Sequence, residues 1–169
     1  IDVSTGWVYG TGAATSAATL QVWPESWYLG TGTQVWGTPM VVGAAATNAL
    51  HVAGKRFEDI KIVSTGGGAA GIACLNMLLK LGVRRENVWL CDIHGLVHEG
   101  REVDMNPQKA AYAQKSDKRT LDEVIDGADM FLGLSGPGVL KAEMVARMAE
   151  NPIIFAMANP TPEILPDEV

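Results

Sequence analysis

The 169-residue chain has no run of about 18 uninterrupted apolar residues, so no membrane-crossing helix is expected. Its start, Ile1-Asp2-Val3-Ser4, lacks the basic stretch and apolar core of a signal peptide. It also lacks an initial Met, as expected of a fragment or a processed chain. Positive charge is scarce: 13 Lys and Arg face 19 Asp and Glu, a formal net charge of −6. That balance argues against nucleic-acid binding through a basic face. Cysteine is scarce too, and the pair Cys74 and Cys91 falls on elements expected to be buried. Two reduced core thiols in a cytoplasmic protein fit this usage better than a disulfide or a metal pair. The first 40 residues contain no Lys or Arg and only two acids, Asp2 and Glu25.

What is present divides the chain in two. Residues 38–169 have ordinary charge density and enough apolar residues, 47% over the whole sequence, for one domain with a sizeable core. Residues 1–37 form an atypical segment rich in Gly, Thr, Ala and Ser that holds four of the five Trp residues, Trp7, Trp23, Trp27 and Trp36. Gln21-Val22-Trp23 and Trp27-Tyr28-Leu29 have β-propensity and suggest short extended pieces. No chemistry is assigned there, since Tyr9 and Tyr28 have no basic neighbour in sequence.

From Thr38 strands and helices alternate. Thr38-Pro39 reads as an N-cap and first helical position, opening a helix that Gly54 ends. Ile60–Ser64 predicts a strand, Ile72–Leu81 a helix stopped by Gly82, and Asn87–Cys91 a second strand tipped by Asp92. A polar excursion over residues 94–116 carries a short helix started by Asn106-Pro107 and running through Gln114. Thr120-Leu121-Asp122-Glu123 is a capping box, and strands are expected at Asp129–Leu134 and Pro152–Met157 around a helix over residues 141–149. This alternation predicts an α/β fold of the Rossmann type, a doubly wound parallel sheet covered on both faces, behind the atypical Trp- and Gly-rich N-terminal segment.

Gly66-Gly67-Gly68-Ala69-Ala70-Gly71 fits G-x-G-x-x-G between a strand and a helix, which is where phosphate chemistry needs it. Gly66 permits the tight turn, Gly68 lets backbone approach a pyrophosphate, and Gly71 lets helix and strand pack closely. Asp92, about 20 residues on, stands where an acid accepts ribose hydroxyls. Ser135, Gly136 and Asn159 lie in loops after the third and fourth strands. There they either line the nicotinamide side or serve the turns themselves. His94 and His98 are four apart but have no further ligands arranged around them, so they read as surface histidines and no metal site is expected in this chain. NAD and NADP both remain open: Asp92 favours a free 2′-hydroxyl, whereas Arg101 could compensate a 2′-phosphate.

Taken in order, these residues resemble the NAD(P)-binding domain of malic enzymes, particularly the bacterial type. The matching pieces include Gly37-Thr38, Ile60-Lys61-Ile62-Val63 running into Gly66-Gly67-Gly68-Ala69-Ala70, and Asn87-Val88-Trp89-Leu90-Cys91-Asp92. They continue through Gly95-Leu96-Val97, Gly100-Arg101, Ala128–Ser135, Gly138-Val139-Leu140-Lys141 and Ala158-Asn159-Pro160-Thr161-Pro162-Glu163. The resemblance implies oxidative decarboxylation of malate to pyruvate and carbon dioxide, with NAD or NADP reduced and magnesium or manganese assisting. It also implies a homo-oligomer for the full-length enzyme, and it places Asn159 near substrate and nicotinamide. The family's catalytic tyrosine and lysine and two metal carboxylates lie upstream, in a domain not contained here. A further aspartate of the family precedes Gly37-Thr38, where this chain reads Thr33-Gln34-Val35-Trp36. The chain by itself is therefore expected to hold cofactor without turning over. The alternative is a non-catalytic dinucleotide-binding module.

Overall fold

A computed structural model of the chain describes residues 18–19 and 34–169, with side chains from residue 37 onward. The expected extended pieces over residues 21–23 and 27–29, and Tyr9 and Tyr28, lie outside the described residues.

The elements in chain order are β1 (Ala18–Thr19), α1 (Gln34–Ala53), β2 (Ile62–Thr65), α2 (Ala69–Lys80), β3 (Val88–Asp92) and β4 (Gly95–Leu96). They are followed by α3 (Pro107–Ala110), α4 (Leu121–Val124), β5 (Met130–Gly133), α5 (Ala142–Val145) and β6 (Ile153–Ala156). Single 3-10 turns precede β3 and follow β6. The sheet order is β1-β6-β5-β2-β3-β4. Every pair is parallel except β3 with β4. From β2 the chain first adds β3 on one side, then returns to add β5 and β6 on the other. The reversal of direction falls between β2 and β5, and in such sheets ligands bind beyond the strand ends at that point.

The strands β2, β5 and β6 are buried on both faces, and the sheet's apolar residues alternate between two cores. Ile62, Val88, Leu90, Met130, Leu132, Ile153 and Phe155 face a core closed by Val42, Ala46 and Leu50 of α1 and Leu75 and Leu78 of α2. Val63, Cys91, Phe131, Ile154 and Ala156 face the other, closed by Val124, Ile125 and Leu140 with Met144 and Met148. The helices therefore cover both sides of a mostly parallel sheet, as alternating strands and helices predict. On the first face α1 and α2 meet at Gly43, where an added Cβ would lie 3.1 Å from Met77 Cγ and 3.2 Å from Leu81 Cδ1. Cys74 and Cys91 are free and buried, and burial pushes both thiols up to about 12.

The element ends show where local signals decide and where they do not. Asn106 caps α3 by accepting the Lys109 N–H at 2.9 Å, and Thr120 and Glu123 form the expected capping box of α4. Gly54 and Gly82, at φ +66° and +115°, end α1 and α2 as expected. Thr38, however, is not an N-cap: α1 begins at Gln34 and carries Pro39 inside it. A proline there gives up its own N–H bond and its ring crowds the carbonyl four residues back, so it weakens the first turns of α1 without ending the helix. The helices expected over residues 107–114 and 141–149 are single turns, and the polar excursion contains β4, which pairs antiparallel with the end of β3.

Candidate functional site

The glycine run follows β2 directly and α2 starts at Ala69, with Gly68 as its N-cap. Gly66 has φ +103°, a conformation that side chains disfavour, and an added Cβ there would lie 2.3 Å from the Leu134 carbonyl oxygen. Gly71 is equally constrained. An added Cβ would lie 2.0 Å from the Gly66 carbonyl oxygen, so the close contact is between helix and turn. Around Gly68, by contrast, nothing lies within 4 Å of an added Cβ, and Gly68, Ala69 and Ala70 are exposed. No side chain caps this helix end and no acid occupies its first turn. The first N–H groups of a helix have no partner within it, and the helix dipole makes that end positive. The result is an open, uncapped end of a 12-residue helix at the carboxyl edge of the sheet, suited to an anion such as a diphosphate.

Asp92 is the last residue of β3, next to this turn, and its side chain is only 6% exposed. The Nη2 of Arg101 donates to Oδ1 at 2.8 Å and Oδ2 at 2.6 Å, Lys109 Nζ donates to Oδ2 at 2.9 Å, and the His94 N–H donates to Oδ1 at 2.9 Å. Burial alone would raise the Asp92 pKa; these donors outweigh it and hold the carboxyl below its ordinary range. Arg101 is held on several sides: Nε donates to the Val103 carbonyl and Nη1 to the carbonyls of Gly95 and Leu96. Nη2 meets both oxygens of Asp92, which lie too close together to take separate hydrogens of one nitrogen, so they share one N–H. Arg101 is thus the partner of Asp92, and its guanidinium is turned to that carboxylate and to backbone carbonyls in this arrangement.

Lys109, which sequence reasoning passed over, completes the cluster. It is buried, and its Nζ also donates to the backbone carbonyl of Asp104 at 2.9 Å and to the Asp104 carboxylate. Burial would lower its pKa; the two carboxylates outweigh that and raise it. Its stem packs on the glycine run, since an added Cβ at Gly67 would lie 2.7 Å from Lys109 Cε and 3.5 Å from Asp92 Cβ. The only local signal for Lys109 is its place in the turn that Asn106 caps. One partner, Asp104, is five residues back; the other, Asp92, comes from a strand end 17 residues away.

The loops after β5 and β6 meet across the sheet edge. Ser135 donates its hydroxyl to Thr65 Oγ1 at 2.8 Å, tying the end of β5 to the end of β2. Its N–H goes to Glu163 Oε1 at 2.8 Å, and the Ala158 N–H goes to Glu163 Oε2 at 3.0 Å. Glu163 is fully buried. Gly136 has nothing within 4 Å of an added Cβ, and Asn159 is exposed. The structure thus brings Gly66–Gly71 and Asp92 together on one side of the reversal point, and carries Ser135, Gly136 and Asn159 on the loops of the other. His98 Nδ1 lies 2.8 Å from the Glu99 carbonyl, and among the described residues no three His, Cys, Asp or Glu side chains are grouped to hold an ion.

Fold and turn together define a Rossmann-like α/β domain with a glycine-lined helix start at the carboxyl end of its central strands. Comparison with known proteins makes the class specific. The family described as "Malic enzyme, NAD binding domain" matches residues 35–168, and the chain belongs to it. It is 59% identical over 131 residues to the NAD-dependent malic enzyme of Rhizobium meliloti, covering 78% of this chain and 17% of that protein. It is 53% identical over 131 residues to the NADP-dependent malic enzyme of Escherichia coli, covering 77% and 17%. Among solved structures, the NAD-dependent malic enzyme of Thermotoga maritima superposes with a TM-score of 0.71 at 39% identity, covering 78% of this chain and 36% of that one. The chain thus spans about a sixth of the length of these two curated relatives. Among the described residues no helix is long and apolar enough to cross a membrane.

Proposed function

We propose that this chain is the cofactor-holding part of a malic enzyme that oxidatively decarboxylates malate to pyruvate and carbon dioxide, with NAD or NADP as the hydride acceptor. The observation that carries the reading is the open start of α2, where Gly68, Ala69 and Ala70 stand exposed and uncapped beside Asp92. In this reading the backbone of residues 66–71 holds the diphosphate and Asp92 faces the adenosine ribose. Ser135, Gly136 and Asn159 line the nicotinamide end, with Asn159 also on the substrate side. All four acceptor directions of the Asp92 carboxylate are occupied, so a ribose hydroxyl would replace one present donor.

The family resemblance implies magnesium or manganese, but among the described residues no three His, Cys, Asp or Glu side chains are grouped to hold one. General acid, general base and metal must converge for this chemistry. They would come from the remainder of the enzyme, which we take to be a cytoplasmic homo-oligomer. Residues 1–37 are proposed as an atypical segment of unassigned role ahead of the cofactor domain at 38–169, with Ala18–Thr19 paired to β6 and Gln34 opening α1.

The test is a calorimetric titration of NAD and NADP into the 169-residue chain, followed by an assay for reduced nicotinamide with malate and manganese, with and without the missing domain supplied in trans. Binding with malate-dependent reduction only after complementation is expected. Binding without reduction under any complementation would instead mark a non-catalytic module, and no binding would reject the reading.

A further inference from the structure

The second half of the edge contains a buried acid with no assigned role. Glu163 is completely buried, and no Lys or Arg among the described residues pairs with it. A buried carboxylate is costly unless its oxygens are hydrogen-bonded. Here each oxygen takes one backbone N–H from a different loop: Oε1 from Ser135 after β5, and Oε2 from Ala158 after β6. The Glu163 backbone carbonyl accepts the Leu140 N–H at 3.1 Å, anchoring the residue to a third segment. Ser135 in turn holds Thr65 at the end of β2. Gly133 makes room for the carboxylate, because an added Cβ there would lie 2.4 Å from Glu163 Cδ. The arm thus spans the strand ends beside the reversal point, one residue before Asn159 on one loop and at Ser135 on the other.

We infer that Glu163 is a positioning residue that staples the β5 and β6 loops together and so sets Ser135 and Asn159 in register for the nicotinamide end of the cofactor. The inference rests on the reading that this edge binds a dinucleotide. It requires a group with two acceptors and a full-length arm. A glutamine of the same shape presents one acceptor and one donor, so an NH2 would face one of the two N–H groups and that contact would be lost. An alanine at 133 would push the carboxylate off both loops from the other side. Neither change touches the glycine run or Asp92.

The experiment compares two probes on the 169-residue chain: NAD, which spans the whole edge, and ADP-ribose, which lacks nicotinamide. Glu163→Gln and Gly133→Ala are each titrated with both by calorimetry. Amide hydrogen exchange at Ser135 and Ala158 is followed in the same proteins. The expected result is NAD affinity weakened about tenfold, because loops no longer held in register must be ordered on binding, with ADP-ribose affinity unchanged within about twofold. Exchange at the two amides accelerates. Equal loss for both probes, or no loss for either, overturns the role of Glu163 while wild-type binding leaves the dinucleotide reading intact. Wild type that binds neither probe overturns both. If Glu163→Gln does not fold, Gly133→Ala carries the same comparison, and the same outcomes support or overturn the role of Glu163.

Discussion

Replacing Gly71 with alanine would place a Cβ 2.0 Å from the Gly66 carbonyl oxygen. A carbon and a carbonyl oxygen rest at about 3.3 Å or more, so helix and turn must part by over about 1 Å. Both sides of the clash are backbone, and no rotamer change relieves it. Overpacking of this kind costs about 1–3 kcal/mol, and the rigid partner places this case near the upper end. For a domain of this size that corresponds to a fall in Tm of roughly 6–12 °C. Gly68→Ala is the control. Gly68 has φ −78° and ψ −179°, open to any residue, and nothing lies within 4 Å of the new methyl. Its stability should stay within about 1 kcal/mol of wild type, the lost glycine cap being partly offset by a stiffer unfolded chain. Binding should separate the two readings of the turn. If a diphosphate approaches the Gly68 backbone, its methyl raises the Kd for NAD at least about tenfold, or about 1.4 kcal/mol. Thermal melting and calorimetric titration of the two variants read both effects. A Gly71→Ala protein that melts with wild type would refute the packing argument, and a Gly68→Ala protein that binds NAD as wild type would refute the placement of the diphosphate.

Lys109→Met leaves Asp92 with Arg101 and the His94 N–H but removes the lysine's three hydrogen bonds; urea titration should show a loss of about 1–3 kcal/mol, and an unchanged midpoint would count against the cluster. The same cluster fixes a pH window. Asp92 titrates below its ordinary 3.8 in the folded state, so its contribution is present above 3.8 and lost as pH falls towards the folded value. Lys109 titrates above its ordinary 10.5, so its contribution is full below 10.5 and lost as pH rises past it. Urea midpoints across pH should show both limbs, and Asp92→Asn should remove its share of the acid limb; an acid limb identical to wild type would be the contrary result. Cys74 and Cys91 should resist a disulfide reagent at neutral pH and react on unfolding, and rapid labelling of either in the native protein would contradict their burial. Thr120→Ala removes the α4 capping box and should cost about 0.5–2 kcal/mol by thermal or urea unfolding, with cofactor binding untouched.

Local chemistry makes much of this domain legible from its residues. The order of strands and helices, the glycine turn, the Asn106 and Thr120 caps, and the Gly54 and Gly82 stops depend on neighbours within a few residues, and sequence carries those directly. Burial on both faces is implicit in the apolar runs of β5 and β6, but not in β2, where the buried Ser64 and Thr65 break the run. What sequence could not supply is pairing across long separations. Arg101 looks free to meet a phosphate because nothing local shows that a strand end, two strand-edge carbonyls and its own loop hold its guanidinium. Lys109 and Glu163 look like ordinary charged residues for the same reason. Each has one partner five residues away, but Lys109 also meets Asp92 from 17 residues away and Glu163 meets Ser135 from 28, contacts that form only once β3, β5 and β6 align at one edge. The start of α1 four residues before Thr38 is a similar case, since local cap preference is worth about 1 kcal/mol and can be overridden by context. Sequence therefore determined the elements and the anion-ready turn, through short-range backbone preferences. Tertiary structure alone decided which charges meet, because ion pairing and buried hydrogen bonding depend on distance in space.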